Sequence, residues 1–322
     1  MNNIHEVTDI EISVIIATRN RESILWESVG KALTAIENQK AEVIIVNDGD
    51  RELSIPPHFS DKIKVLNNFK RGVSKARNIG AENAKGSILF FVDDDMWINT
   101  EIIKWIEKNL IDEKKEDAVY NVNWEYPPEL VKKLRKEKVG RYILSSGYHT
   151  SWGRMHKKGE CPKKGLLPAD LVVSCSFVIS KEIFIQIGGY NELITFQGED
   201  KEITMKLKNK SIALFQLFGI TLHHNHKDRI EIKEYLERLE RGYRSEFKAE
   251  KNEIIPNTLK TVHKIYFLKS IGYYIFLKTE VLWILIFKLI PNNSFFNLIT
   301  NKLIGTLSGL QKFKQWKANF NA

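Results

Sequence analysis

Residues 88–95 read Ile-Leu-Phe-Phe-Val-Asp-Asp-Asp, so that an apolar run ends on three adjacent carboxylates. A run of this length is typical of a buried strand. Its end delivers Asp93, Asp94 and Asp95 to the carboxyl edge of a sheet, where ligands of open α/β sheets bind. Adjacent carboxylates repel one another unless a cation lies among them, and a divalent metal shared with a diphosphate would provide one. A solvated acidic turn or a helix N-terminus is the alternative.

Two further polar segments follow predicted strands. Residues 17–21 read Ala-Thr-Arg-Asn-Arg and are placed to meet a nucleotide base through backbone atoms. A plain strand-to-helix connection, capped by Thr18 or Asn20, explains the same residues. Residues 47–50 read Asn-Asp-Gly-Asp, where a carboxylate can accept a hydrogen bond from a base N–H. A simple turn fits that composition equally well.

Two more segments carry charged groups at predicted helices. Residues 74–80 read Ser-Lys-Ala-Arg-Asn-Ile-Gly, and the guanidinium of Arg77 can pair with a diphosphate or a base oxygen. A solvated helix face is the alternative. Residues 198–202 read Gly-Glu-Asp-Lys-Glu shortly after a Gly-Gly-Tyr-Asn-Glu run at 188–192. Two acids that open a helix act as an N-terminal cap, or one of them supplies a general base.

The elements that must position these groups alternate along the first hundred residues. Strand-like runs occupy 12–17, 42–47, 62–66 and 88–92, and helical spacing occupies 21–38 and 72–84. This rhythm predicts an α/β fold, with a mostly parallel central sheet flanked by helices on both faces.

The middle of the chain has a different character. Residues 126–165 are polar, basic and rich in Gly and Pro, which predicts a loop-rich insertion with one charged helix at 129–138. Strand character returns at 171–180, a helix is predicted at 199–208, and a strand at 212–224 ends in His-His-Asn-His.

The chain of 322 residues has two cysteines, Cys161 and Cys175, and therefore neither a disulfide framework nor a CxxC metal pair. A reducing compartment is expected. The polar residues 1–11 precede an apolar segment too short for a signal-peptide core, so we expect a cytoplasmic protein.

The net charge of +9 is concentrated after residue 255, because residues 256–322 hold nine lysines and one acid, Glu280. A nearly neutral body gives no indication of a nucleic-acid partner. A basic, apolar tail indicates peripheral contact with an anionic membrane surface. Helices packed against the body are the alternative, and no stretch there is long enough to span a membrane.

The ordered set of motifs resembles the inverting glycosyltransferases of family 2, which have the GT-A fold. Residues 12–21 resemble the family's first strand and loop, and residues 42–49 its second strand and acidic turn. Residues 75–95 resemble the segment leading into its DxD motif, and 188–200 its acceptor-side ED motif. The resemblance covers roughly residues 11–228, with departures at Ala17, Asn47, Asp50 and Lys206.

The resemblance implies a Rossmann-like GT-A domain with a C-terminal helical extension. Residues 1–125 would form the nucleotide-sugar half, 126–228 the acceptor half and 229–322 the extension. It also assigns roles to single residues. The nucleotide-sugar residues would be Ala17, Thr18, Arg19, Arg21, Asp48, Arg77, Asp93 and Asp94. The ligands of a Mn²⁺ or Mg²⁺ ion would be Asp95 and Asp93 with His224 or His226. Asp200 would be the general base, supported by Glu199.

The implied reaction moves a sugar from a nucleotide diphosphate sugar, most commonly a UDP-sugar in this family, to a hydroxyl of a glycan or a lipid-linked glycan. One base suffices because a metal-bound diphosphate leaves without a proton. Two other classes remain open. A sugar-phosphate nucleotidyltransferase would share the ligands, although residues 17–21 lack its Gly-rich loop. A non-catalytic protein bound to a membrane surface would share the tail.

Overall fold

The computed structural model describes residues 10–156, 161–227, 231–256 and 280–320. The chain divides into two compact units. The first unit comprises Met1–Trp124, Pro162–Thr195 and Glu199–His224, and the second comprises Glu125–Cys161, Phe196–Gly198 and Asn225–Ala322. The predicted boundaries at 125 and 228 stay predictions, as does the predicted character of residues 1–9, which lie outside the described part.

The strands are β1 (Ile12–Thr18), β2 (Ala41–Asn47), β3 (Lys64–Asn67), β4 (Ile88–Asp93), β5 (Met96–Trp97), β6 (Ala118–Glu125), β7 (Gly165–Pro168), β8 (Ser176–Ser180) and β9 (Ala213–His224). They form one sheet in the order β3-β2-β1-β4-β8-β6-β9-β5, with β7 paired to β9. The first four strands are parallel to one another. Strand β8 runs antiparallel to β4 and β6, and β9 runs antiparallel to β5 and β7.

The helices are α1 (Glu22–Ala35), α2 (Val73–Glu82), α3 (Thr100–Ile106), α4 (Pro128–Leu134), α5 (Lys138–Ser145), α6 (Ser151–His156), α7 (Lys181–Gln186), α8 (Glu199–Asn209), α9 (Ile232–Lys251), α10 (Glu280–Leu289) and α11 (Asn297–Phe320). A π-helical segment, Glu107–Asp112, continues α3. Short 3-10 turns lie at Pro57–Phe59 and Ser294–Phe296. The predicted α/β class, with a central sheet, flanking helices and C-terminal helices, is confirmed.

The apolar runs of β1, β2 and β4 are continuous because both faces of the sheet are covered. On one face, Ile15, Val46 and Phe91 belong to a core that includes residues of α2, α7 and α8. On the other face, Val14 and Phe90 are equally inaccessible. Helix α2 can lie close to β1 because it carries Gly80, where a Cβ would come within 2.4 Å of Ile15.

The strand predicted at 171–180 begins only at Ser176. The preceding amides are bonded to side chains of other elements instead of a neighbouring strand. Val172 N–H donates to Thr204 Oγ1 at 2.8 Å, and Val173 N–H donates to Asn121 Oδ1 at 2.9 Å. Tertiary partners that lie far away in sequence therefore shorten this strand, and the local apolar pattern could not show them.

The single helix predicted at 129–138 is two helices, α4 and α5. The break lies at Arg135–Glu137, and Glu137 has extended backbone angles. The chain turns back tightly there, because a Cβ at Gly140 would lie 2.3 Å from the carbonyl oxygen of Leu134. The charged residues at the break gave no sign of this turn.

In the second unit, α11 packs on α5 and α9. Its buried side chains follow a helical stripe: Leu303, Ile304, Leu307, Leu310, Phe313 and Trp316. Lys138 Nζ also donates to the carbonyl of Phe287 in α10 at 2.6 Å. Of the basic tail, residues 257–279, with Lys260, Lys264, Lys269 and Lys278, lie outside the described residues. In the part of the chain that the structure describes, every helix is too short or too polar to cross a bilayer.

Candidate active site

The acidic triplet lies where β4 ends, and its first two side chains take separate partners. Asp93 Oδ1 accepts a hydrogen bond from Arg77 Nη2 at 2.9 Å. Asp94 accepts one from Thr18 Oγ1 at 2.7 Å and is ion-paired with Arg21. The 17–21 segment is thus tied to the triplet by side chains. Burial raises the pKa of Asp94 to about 7, and the Arg21 guanidinium opposes that rise.

Asp95 is completely buried and divides its two oxygens between two elements. Its Oδ2 accepts from Arg21 Nη2 at 2.8 Å, and its Oδ1 lies 2.9 Å from His224 Nε2. His224 ends β9, where it pairs with Met96 of β5. The edge of its ring meets the Trp124 ring, with centroids 4.8 Å apart.

Asp95 and His224 are able to hold a divalent ion together. A carboxylate oxygen and an imidazole nitrogen are donors that Mn²⁺ and other first-row metals accept. These two donor atoms are close enough to share one coordination shell, and both residues are buried. His226 follows two residues later and belongs to the second unit, where its Nδ1 lies 2.8 Å from the hydroxyl of Tyr126.

Arg77 connects the triplet to the second acidic segment. It is 3% exposed and extends from α2 between Asp93 and Glu199, with its Nη1 3.3 Å from Glu199 Oε1. Its guanidinium lies 5.4 Å from the centre of the Tyr190 ring. Two acidic segments more than a hundred residues apart in sequence therefore share one cation.

Glu199 and Asp200 open α8 and face this cation. Asp200 Oδ1 accepts a hydrogen bond from the Ser174 amide at 2.9 Å. Tyr190 donates its hydroxyl proton to Ser174 Oγ, also at 2.9 Å. Burial raises the pKa of Asp200 above its ordinary value, and the bonds from Ser174 partly offset that rise. Burial and the neighbouring Asp200 raise the pKa of Glu199 to about 8. A raised pKa makes the ionised Asp200 carboxylate a stronger proton acceptor than an exposed one, whereas Glu199 holds its proton at neutral pH.

Replacing Arg77 with methionine is expected to destabilise the fold. The change leaves Asp93 without its cation and Glu199 without a hydrogen-bond donor, and the loss of a hydrogen bond to a charged group costs about 1.5–3 kcal/mol. Chemical denaturation measures the free energy of unfolding. Lys75→Met on the same helix is the matched control, because Lys75 pairs with a half-exposed Glu192 at 2.6 Å and such pairs contribute about 1 kcal/mol or less. Equal losses in the two variants would contradict the bridging role of Arg77.

Glu199 is expected to make stability depend on pH. Its folded pKa of about 8 exceeds the ordinary value of 4.5, so the folded protein keeps a proton between these pH values that the unfolded chain has released. Stability contributed by that proton is therefore lost as pH rises from 4.5 to 8.

Between pH 4.5 and 8, the melting temperature of Glu199→Gln should fall less steeply with rising pH than that of the unmodified protein. Glu192→Gln is the control, because a hydrogen bond from Lys75 lowers the pKa of Glu192 and moves its contribution below the window. A decline in Glu199→Gln as steep as in the unmodified protein would show that another group titrates.

The second predicted turn, 47–50, is organised around Asp48. Its Oδ1 accepts from Asn68 Nδ2 and from the Gly72 amide, both at 2.7 Å. Gly72 has a φ of +123°, a conformation that favours glycine. Burial raises the pKa of Asp48. Arg19 lies nearby and is exposed, with Nη2 4.0 Å from Asp50.

A shallow pocket opens beside this turn. It is lined by Asn47, Gly49, Asp50, Arg51, Glu52, Asn67, Asn68, Phe69 and Arg71. The side chain of Phe69 is 91% exposed. Ala17, at the end of β1, lies between Val46 and Asp93 in the sheet. The structure therefore places the 17–21 and 47–50 segments at the same edge of the parallel strands as the triplet.

Sequence reasoning missed Ser174 and the role of Tyr190. Ser174 holds Asp200 through a backbone amide, which no side-chain pattern reveals. Tyr190 lies within the Gly-Gly-Tyr-Asn-Glu run at 188–192, and its position next to two positive-φ glycines was an available signal of a special backbone. The ion pairs of Arg21 and Arg77 with the acids could not be read from either segment alone.

Comparison with known proteins gives consistent matches. The model of Glycosyl transferase family 2 matches residues 13–188, more than half of the chain. Glycosyltransferase GlyA of Streptococcus pneumoniae is 30% identical over 120 residues, which cover 36% of this chain and 17% of that protein. An uncharacterized glycosyltransferase of Haemophilus influenzae is 26% identical over 203 residues, which cover 61% of each chain. The matched segment is thus less than two thirds of either relative.

Among solved structures, residues 1–349 of TarS from S. aureus align with 97% of this chain and 90% of that one. The sequence identity is 16% and the TM-score is 0.48.

Proposed function

The chain belongs to glycosyl transferase family 2, and from that premise we propose that it transfers a sugar from a nucleotide diphosphate sugar to a hydroxyl group. Membership makes it a transferase of the glycosyltransferase class. We further propose that the donor is a UDP-sugar, that the acceptor is a glycan or a lipid-linked glycan, and that transfer inverts the anomeric centre.

One observation carries this proposal. The acids at the end of β4 and the acids that open α8 meet at Arg77. Sugar transfer needs a group that accepts the proton of the acceptor hydroxyl beside groups that stabilise the departing diphosphate. Carboxylates from two segments, brought to the carboxyl edge of parallel strands, provide for both requirements in one place.

Asp200 is the proposed general base, with Glu199 supporting its orientation. The Ser174 amide occupies Asp200 Oδ1, so Oδ2 is the oxygen proposed to accept the proton. Burial raises the pKa of Asp200 and increases its affinity for that proton. Arg77 keeps positive charge beside Glu199 and Asp200.

Asp93 and Asp95, with His224 or His226, would hold a Mn²⁺ or Mg²⁺ ion. When bound, such an ion neutralises charge that develops on a diphosphate leaving group. Arg21 lies against Asp95 Oδ2 and leaves Oδ1 on the side of His224, so the residues present fit an ion held between that oxygen and an imidazole.

The nucleotide would lie along the ends of β1 and β2. Asp48 would accept a hydrogen bond from the base, while Ala17, Thr18 and Arg19 would line the base and ribose. Arg21 and Arg77 contact carboxylates in the structure, so a bound diphosphate would join or replace those contacts.

A thermal-shift screen of UDP-, GDP- and dTDP-sugars, with and without Mn²⁺, tests the proposal. Binding to the folded state raises the melting temperature, by RT ln(1 + [L]/Kd) in free energy. We expect a rise with one nucleotide class, larger in Mn²⁺. Donor-dependent transfer or slow hydrolysis would then identify the sugar. Stabilisation by nucleoside triphosphates with pyrophosphate release would favour a nucleotidyltransferase instead. No response to any nucleotide sugar would contradict the proposal.

A further inference from the structure

Six large apolar side chains are exposed to solvent on α10, on the turn that follows it and on the first turn of α11. They form the apolar ridge: Leu282, Leu285, Leu289, Phe295, Leu298 and Ile299. Each is more than half exposed, and Leu289 and Phe295 exceed 80%. Single exposed apolar residues are ordinary, whereas six of them between residues 282 and 299 indicate an interaction surface.

The exposed residues of the apolar ridge and the buried residues of α10 and α11 lie on different faces of these helices. Leu282, Leu285 and Leu289 are three and four residues apart and therefore lie on one face of α10. Phe287 lies on another face and is buried. In α11, Leu298 and Ile299 are exposed, whereas Leu303 and Ile304, five residues later in each case, are buried. The second unit thus has its own core and still leaves the ridge uncovered.

We propose that the apolar ridge docks on an anionic lipid surface. The charge of this part of the chain carries the argument, because residues 280–322 contain five lysines and a single acidic residue, Glu280. Lys288 precedes Leu289 in α10, and Lys302 follows Leu298 by one helical turn; both are exposed. Apolar side chains inserted at the headgroup boundary, flanked by lysines, are what a peripheral membrane helix needs.

A second copy of the chain fits the ridge less well. In a two-fold interface the same patch faces itself, so Lys288 and Lys302 would approach their own copies, and Glu280 is the one acidic side chain of residues 256–322 that could pair with them. Anionic headgroups supply the missing negative charge instead. This proposal concerns the second unit alone and does not rest on sugar transfer, so a failed donor screen would leave it standing.

Vesicle cosedimentation tests the proposal with the full chain. One set of vesicles contains phosphatidylcholine only, and the other has about a third of it replaced by phosphatidylglycerol, which supplies anionic surface charge. We expect binding to the anionic vesicles that weakens in high salt, because the lysine contribution is screened. Equal binding to both sets, or none to either, would overturn the proposal.

Two double variants separate the apolar and charged contributions. Leu285→Asp with Leu289→Asp should reduce the partition coefficient on anionic vesicles by at least about tenfold, since apolar insertion is lost. Lys288→Gln with Lys302→Gln should reduce it by about fivefold per lysine. Ile185→Asp in α7 is the matched control, because Ile185 is 66% exposed in the first unit and should leave partition unchanged.

Each variant is also checked for folding and self-association. The substituted residues are exposed, so thermal unfolding should match that of the unmodified protein. Light scattering after size exclusion should give a monomer mass at low protein concentration. A dimer that the aspartate pair disrupts, with no difference in vesicle binding, would assign the ridge to a second copy and overturn the lipid proposal.

Discussion

Replacing Asp200 with asparagine is expected to slow sugar transfer by about 10²–10⁴-fold, the usual cost of losing a general base. Donor binding should be unchanged, because the substitution keeps an oxygen at the position that accepts the Ser174 amide. The side chain is nearly isosteric, and it removes the ability to take a proton. Single-turnover kinetics with donor and acceptor would measure the loss, and calorimetric titration of the donor would measure binding.

Asp61→Asn is the control for that experiment, because it makes the same chemical change at an exposed turn before β3. Its transfer rate should equal that of the unmodified protein. Rapid turnover by the Asp200 variant would exclude Asp200 as the base. Glu199→Gln should then be tested next, since its carboxylate is the other one at the start of α8.

The parallel half of the sheet could be predicted because its strands are short apolar runs separated by helical spacing. Strands β1, β2 and β4 begin and end within a residue of the predicted bounds. Because both faces of these strands are buried, each strand is a continuous apolar run, which can be recognised from its own residues alone. The antiparallel half could not be predicted in the same way. Strand β7, for example, is exposed at all four residues, and only its pairing with β9 makes it a strand.

In the candidate site, too, some residues could be predicted from local sequence, and others depend on long-range contacts. Asp93 and Asp200 could be singled out because acids after a strand or at a helix start stand out in sequence. The partners that hold them depend on long-range geometry. Arg77 was expected at a nucleotide, and in the structure it lies between Asp93 and Glu199 with almost no access to solvent. Ser174 holds Asp200 through its backbone amide, which any residue type except proline could supply.

Two arginines contact four of the five acids of the candidate site before any ligand binds. Arg21 pairs with Asp94 and Asp95, and Arg77 pairs with Asp93 and Glu199. Buried carboxylates without such partners would be strongly destabilising. The positive charges of the arginines allow the acids to lie close together. A bound metal ion could then replace an arginine at a carboxylate, and a diphosphate could bind the arginine that is released.

Asp95→Asn is expected to abolish the binding of Mn²⁺. Asp95 is completely buried and its Oδ1 lies 2.9 Å from His224 Nε2, so of the two proposed carboxylate ligands it is the one that contacts the imidazole. An amide keeps the size of the side chain and supplies a far weaker metal ligand. Calorimetric titration with Mn²⁺ alone measures the loss without any donor or acceptor. The extra rise in melting temperature that Mn²⁺ gives to a nucleotide sugar should also disappear.

Asp94→Asn is the matched comparison within the same triplet. Asp94 is bonded to Thr18 and Arg21, so its loss removes a buried carboxylate without removing a proposed ligand. The titrations are run above pH 7, because the pKa of Asp94 is raised to about 7 and its side chain is charged only above that value. We expect this variant to retain the heat of Mn²⁺ binding. Equal loss in both variants would mean that the metal responds to the summed charge of the triplet. Undiminished Mn²⁺ binding by the Asp95 variant would place the ion elsewhere. The contrast between neighbouring residues thus separates a ligand from a general electrostatic effect, because both substitutions remove a buried carboxylate that contacts Arg21.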